Sequence, residues 1–310
     1  MKKKVSWFHS LTKDIFIKEK DLLTYQAIGQ TRVLIRGAGE MGSGVAHCLF
    51  KSGFKVCLTD ISRPLAVRRL VSFCEAVYDR EKTLEGVTAV RISKPSEMFS
   101  VWQEEKIPLL VDSENKTKNF LNPHVLIDAI LAKRNIGTNI TDAPLVVGLG
   151  PGFKAGKDVH VVIETNRGHN LGRLIFEGGA EPNTGVPGII AGYGLERVIR
   201  APRDGKFKLL KDIGDRVSEG ETVAHVEGEP IRANISGVIR GLLRDGTEVT
   251  QGIKAGDIDP RGERSYCTTI SEKARALGGS VLGAILSQLP QRLRGKSEQL
   301  FDSIVKHYRF

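Results

Sequence analysis

Three groups of residues have the types and spacing to do chemistry. The first is Gly37-Ala38-Gly39-Glu40-Met41-Gly42, with Asp60 following 23 residues after Gly37. Glycines in the pattern G-x-G-x-x-G let a strand turn tightly, let backbone approach a pyrophosphate, and let the next helix pack close. That helix's N-terminus offers free N–H groups and a positive dipole end to phosphate charge. Asp60 stands where a carboxylate meets a ribose hydroxyl in dinucleotide sites. The second group is Arg167, His169 and Arg173 in ETNRGHNLGR, read either as an anion clamp or as a plain polar turn. The third is Cys267, two residues before a helix cap, where the dipole would lower a thiol pKa and where Arg261 and Arg264 lie just upstream. A buried packing cysteine is its plainer alternative.

These residues need elements to position them. Val33 to Ile35 reads as a strand, residues 40–50 as a helix, and Lys55 to Thr59 as a second strand ending at Asp60. Arg36 ends the first strand and Arg63 follows Asp60; each is placed either to meet a phosphate or to be solvated. RPLAVRRLVSFCEAVYDRE predicts a helix from Pro64, VTAVRI a strand, SEMFSVWQEEK a helix and IPLLVD a strand ending at Asp112. PHVLIDAILAKRN predicts a helix begun by Pro123, and PLVVGLG and DVHVVIE predict two further strands. Six strands with helices between them make an α/β, Rossmann-like doubly wound parallel sheet over residues 31–197. Ligands of such sheets sit beyond the strand C-terminal ends, where residues 141–144, 148–153, 164–173 and 181–188 also fall.

From residue 198 the chain repeats itself at a shift of 32. Ile199-Arg200-Ala201 matches Ile231-Arg232-Ala233, Gly205 matches Gly237, and Leu210, Gly214, Val217 and Gly220 match Leu242, Gly246, Val249 and Gly252. Identities at one offset, with glycines at turns and short alternating runs between them, mark a duplicated β unit over residues 198–262. Two such copies resemble the biotinyl/lipoyl barrel-sandwich domain. The hairpin that would carry the modified lysine reads Glu227-Gly228-Glu229-Pro230, and no lysine lies between Lys211 and Lys254. Without an amine there is nothing to acylate, so a packing or docking module is expected. Residues 263–310 predict a C-terminal helix and basic tail. Thr269 and Glu272 form a capping box, Ile270, Ala274, Leu277, Val281 and Ile285 an apolar stripe, and Pro290 a stop.

Composition bounds the function classes. The 310 residues carry a net charge of +10, but residues 1–30 hold six lysines against three acids, and the last twenty hold five cations against two acids. The body is therefore mildly basic, with no nucleic-acid-reading motif, so no specific nucleic-acid role is expected. No signal-length apolar run opens the chain and none approaches membrane-spanning length, which predicts a cytoplasmic protein with no membrane association. Cys48, Cys57, Cys74 and Cys267 show no metal-ligand spacing, so no metal site is expected and the first three read as buried thiols.

The ordered set GAGEMGSGVAH, TDAP, GLGPGF, ETNRGHNLGR, EPNTGVPG, the lysine-less repeat, GDIDPRG and ISEKARALGGSVLGAIL resembles one family over about residues 31 to 290. It is that of the YqeB-type accessory proteins of selenium-dependent molybdenum hydroxylases, distantly similar to xanthine dehydrogenase accessory factors. The resemblance implies a role in maturing a selenium- and molybdenum-containing cofactor, with the hydroxylase or its maturation proteins as partners. The resemblance names no carrier residue; Cys267, from its place near the helix start, is read as a transient carrier of sulfur or selenium. Three readings stay open. One is a maturation protein holding a small phosphate-bearing ligand, an NAD-type dinucleotide or a molybdopterin-type cofactor, at residues 37–60. The others are an NAD-dependent oxidoreductase and a non-catalytic scaffold with a vestigial glycine loop. A homo-oligomer is expected.

Overall fold

The computed structural model describes residues 28–307, with side chains through Leu293. The basic N-terminal extension lies outside the described residues up to residue 27, as do the side chains beyond Leu293.

A nine-stranded sheet forms the first part. Its strands are β1 (Arg32–Arg36), β2 (Lys55–Asp60), β3 (Glu81–Leu84), β4 (Val87–Arg91), β5 (Ile107–Val111), β6 (Val125–Asp128), β7 (Leu145–Leu149), β8 (Val161–Ile163) and β9 (Leu174–Ile175). The order is β3-β4-β5-β2-β1-β6-β7-β8-β9. The strands from β4 to β8 in that order are parallel, and only the edge pairs β3–β4 and β8–β9 are antiparallel. Continuous apolar runs such as Val33-Leu34-Ile35 arise because a parallel sheet is covered on both faces. Val33 and Ile35 join one core with α1 (Glu40–Lys51), while Leu34 joins the other with α3 (Met98–Gln103) and α4 (Thr117–Leu121). All six expected strands form.

Two expected helices do not. Residues 125–128, read as part of a helix from Pro123, are the fully buried strand β6, paired with β1 from Val33↔Val125 to Arg36↔Asp128. Asn122, in the left-handed region, ends α4, and the buried apolar run Val125-Leu126-Ile127 fills the slot beside β1. The stretch after Pro64 makes only short turns and α2 (Ala76–Asp79). Tertiary bonds override its helical pattern: Cys74 N–H donates to Ala38 C=O at 2.9 Å, and Phe73 N–H donates to Ser43 Oγ at 2.7 Å.

The duplicated segment makes two four-stranded sheets. Its strands are β10 (Val198–Arg200), β11 (Gly205–Leu209), β12 (Arg216–Val217), β13 (Thr222–Val226), β14 (Glu229–Arg232), β15 (Gly237–Leu242), β16 (Glu248–Val249) and β17 (Lys254–Asp259). The orders β10-β17-β15-β12 and β14-β13-β11-β16 become one another when each strand is replaced by its counterpart in the other copy. One apolar core, including Phe207, Val223, Ile239 and Ile258, lies between them. The β13–β14 hairpin turns on Glu227 (φ 49°) and Gly228 (φ 84°), both with positive φ as a two-residue primed turn requires. Glu227 Oε1 accepts from the Lys206 backbone N–H at 2.8 Å, so this turn residue braces the neighbouring strand. Protein made in a host with active biotin and lipoyl ligases should therefore show its unmodified intact mass. An added group mapped to residues 198–262 would refute this.

Helix α5 (Glu272–His307) returns to the large sheet. Ile270, Ala274, Leu277, Val281 and Ile285 enter the same core as α1, as the apolar stripe predicts. The axes come close because a Cβ at Gly44 would meet Ala274 at 2.7 Å, and one at Gly278 would meet Cys48 at 2.8 Å. Two sequence expectations are corrected here. Ser271, not Thr269, caps the helix, its Oγ accepting from Ala274 N–H at 3.3 Å, while the Thr269 hydroxyl bonds Ser265 C=O. Pro290 lies inside the helix, which forgoes one backbone bond there and continues. Among the described residues no helix is long and apolar enough to cross a membrane.

Candidate functional site

The C-terminal ends of the parallel strands converge on one edge of the sheet. At its centre is the turn from β1 into α1. Gly37 has φ +91°, and a Cβ there would meet the backbone of Ala129 and Ile130 at 2.9 Å. A Cβ on Gly42 would fall 1.9 Å from Gly37 C=O, whereas one on Gly39 meets nothing within 4 Å. Two glycines are thus demanded by the chain's own packing, and the third borders open space. No side chain caps α1, so the amides of Glu40, Met41 and Gly42 at its N-terminus are unpaired among the described residues. Met41 itself is buried.

Asp60 is committed to this turn. Its Oδ2 accepts from Ala38 N–H at 2.7 Å and its Oδ1 from Ile61 N–H at 2.8 Å. Burial raises its carboxyl above the usual range, and the two N–H bonds oppose that rise. Its first duty is to hold the glycine turn, with remaining lone pairs free for a hydroxyl. Arg36, offered by the sequence as a phosphate contact, is instead buried beneath the edge. It pairs with Asp128 at 3.4 Å and donates to Thr138, whose hydroxyl in turn donates to Asp128 at 2.6 Å. Parallel register puts Arg36 directly beside Asp128, and sharing that carboxylate removes the cost of a lone buried charge.

A small cavity of about 150 Å³ lies between the ends of β7 and β8 and the first turn of α5. Lys133, Arg167 and Lys273 line it with Glu164, and residues 181–188 wall it. Glu164 is 2% exposed and braces the loops, accepting from Asn166 N–H at 2.6 Å and Glu181 N–H at 2.7 Å. The backbone at Lys133 and Arg134 packs close to Gly152, where an added Cβ would collide with it. Lys273 has no hydrogen bond or ion pair among the described residues. Burial lowers its amine pKa to about 8, with the charges of Lys133 and Arg167 adding to the shift. The charge of Glu40, at the start of α1, also acts on Lys273 and opposes the shift.

Of the clamp expected from ETNRGHNLGR, only Arg167 reaches the cavity, where it also pairs with Glu272. His169 and Arg173 are exposed and line none of it. Cys267 sits in a short turn against β15, 3% exposed, its thiol 3.6 Å from Ile239 C=O. Burial raises its pKa, and the nearby charges of Arg68 and Arg240 only partly oppose this. The dipole-activated thiolate expected there is corrected: the thiol is buried against Ile239 C=O and its pKa is raised. Lys133 and Lys273 were missed because one follows an irregular loop and the other begins a helix, contexts where lysine is normally solvated.

A large, mostly parallel sheet closed by a C-terminal helix, with a glycine turn and a basic cavity at its strand ends, defines a mixed α/β protein. No family model matches the chain. The chain is similar to the uncharacterized protein YqeB of Escherichia coli (strain K12), at 46% identity over 272 residues, 88% of this chain and 50% of that protein. This similarity supports the YqeB family, and the chain spans about half the length of the curated relative it matches. Among solved structures the chain is similar to TcdA (CsdL), at 12% identity and TM-score 0.33, over 90% of this chain and 93% of that one. It is also similar to the ectoine utilization protein EutE (DoeB) from Ruegeria pomeroyi, at 11% identity and TM-score 0.21, over 73% of this chain and 56% of that one. TM-scores of this size do not define a shared fold.

Proposed function

We propose that the large sheet is a Rossmann-like domain that binds a phosphate-bearing ligand, a nucleotide or pterin phosphate, at the Gly37–Gly42 turn. The observation that carries this is the uncapped N-terminus of α1, open at Gly39, on the same strand-end edge as a cavity lined by Lys133, Arg167 and Lys273. Because Asp60 is already bonded to the turn, phosphate rather than ribose supplies most of the recognition. We read the duplicated segment as a barrel-sandwich module that is not acylated. Service to a molybdenum hydroxylase during cofactor maturation is proposed on the ordered motifs that resemble YqeB-type accessory proteins. A cytoplasmic setting accords with four unpaired cysteines among the described residues.

The test is native mass spectrometry of gently purified protein, followed by titration with ADP, NAD and a pterin phosphate. One of them is expected to bind, and Gly39→Val to weaken that binding at least a hundredfold while melting like the wild type. Absence of binding by all three, or equal binding by the variant, would overturn the reading. A redox change of bound NAD on adding a substrate would replace it with the oxidoreductase reading.

A further inference from the structure

Between the glycine-turn edge and the duplicated module lie two buried guanidinium groups with unmet bonding capacity. Arg68 is 7% exposed and Arg240 5%. The Nε of each is buried without a hydrogen-bond partner. Arg68 reaches Glu40 at 3.4 Å through Nη1 and Tyr266 C=O at 2.8 Å through Nη2. Arg240 has, among the described residues, only Asp259 as an ion-pair partner, at 3.7 Å.

The surrounding carboxylates are already engaged. Asp259 receives Arg261 at 2.6 Å, Asp257 receives Arg197 at 2.8 Å, and Glu272 receives Arg167. Arg240 lies close enough to Arg68, Cys267 and Glu272 for its charge to act on each. Burial lowers the Arg68 pKa, and Arg240 adds to that effect.

The backbone is arranged to bring the pair together. The β15–β17 ladder shifts register between Ile239 and Gly241, so Arg240 is the extra residue of a bulge, a device that re-aims a side chain. A Cβ on Gly241 would meet Arg68 Cδ at 3.0 Å, so the glycine admits Arg68 against the module. Leu242 N–H donates to Val67 C=O at 2.8 Å and pins the two parts beside these arginines. A buried guanidinium has five donors and stays charged, so leaving two underpaired at one junction is costly unless an anion joins them.

We propose that Arg68 and Arg240 form an oxyanion subsite for a phosphate group, shared between the large sheet and the duplicated module. It extends the phosphate-binding reading above by making the module one wall of the ligand site. Planar guanidinium forks suit phosphate oxygens, and Glu40 links the subsite to the start of α1.

Calorimetry with inorganic pyrophosphate and with ADP, at matched ionic strength in chloride, tests this. Wild type is expected to bind at least one probe and to melt higher in its presence. Arg240→Gln is expected to weaken that binding at least tenfold. Should that variant not fold, Arg240→Lys, which keeps the charge but not the fork, carries the same expectation. Binding of ADP alone means that the phosphate arrives on a nucleotide; binding of pyrophosphate as well means that the anion suffices. If Arg240→Gln loses the probe while Gly39→Val keeps it, the subsite stands and the glycine-turn reading falls. No binding by wild type, or affinity unchanged by the Arg240 variants, overturns the subsite.

Discussion

Gly42→Ala is expected to cost the fold roughly 3–5 kcal/mol, the range of a core steric clash that cannot relax. The added Cβ would lie 1.9 Å from Gly37 C=O. Gly37 cannot recede, because its N–H is held by Thr59 C=O at 2.8 Å and its Cα faces the Ala129 and Ile130 backbone. The clash must therefore push α1 away from β1, and α5 with it, since the two helices touch through Gly44 and Ala274. Gly39→Ala enters open space with φ at −68° and is expected to change stability by less than about 1 kcal/mol. Urea denaturation of both variants measures the contrast. A Gly42→Ala protein within about 1 kcal/mol of wild type would show that the turn is looser than its packing implies.

Lys273→Met is expected to raise stability at pH 7 while weakening anion binding in the cavity at least tenfold. The amine's pKa of about 8 lies below the ordinary 10.5, and its main cause is burial. Below pH 8 both folded and unfolded chains carry the proton, so the fold bears the full cost of a buried ammonium. Between about 8 and 10.5 the unfolded chain holds more protons, and stability rises with pH as that cost is relieved. Replacing the ammonium by an apolar side chain of similar length should recover roughly 1–3 kcal/mol at pH 7. Melting curves at pH 7 and pH 10 decide it: the variant's advantage should shrink at the higher pH. A variant less stable at both would mean that the amine is satisfied in the fold. Anion affinity of the wild type should fall as pH passes 8.

Much of the large sheet was legible because its strands are apolar runs of fitting length between glycine and proline signals. Val125-Leu126-Ile127 was misread because a short buried run after a proline suits a helix start equally well, and only β1 as a neighbour settles it. The turn at Gly37–Gly42 was legible as a pattern, although its glycines split into two with steric duties and one beside open space. The repeat was plain from identities at one offset. Lys133, Lys273, Arg68 and Arg240 were invisible, since the chain segments that surround them lie far apart in sequence. Arg240 depends further on a register shift that no local pattern announces.

The exchanged strand orders of the duplicated segment have a consequence for what its unit is. Within either copy only one ladder closes, β11 with β13 in the first and β15 with β17 in the second. The ladders β10–β17, β11–β16, β12–β15 and β13–β14 all join one copy to the other. One copy alone would expose unpaired strand edges and half an apolar core, as a lone protomer of an obligate dimer does. The segment is physically a twofold dimer written on one chain, and the Glu227-Gly228 turn is the weld between its protomers. Side chains at that weld answer first to the joining of two subunits, which is why a glutamate that holds Lys206 can occupy it.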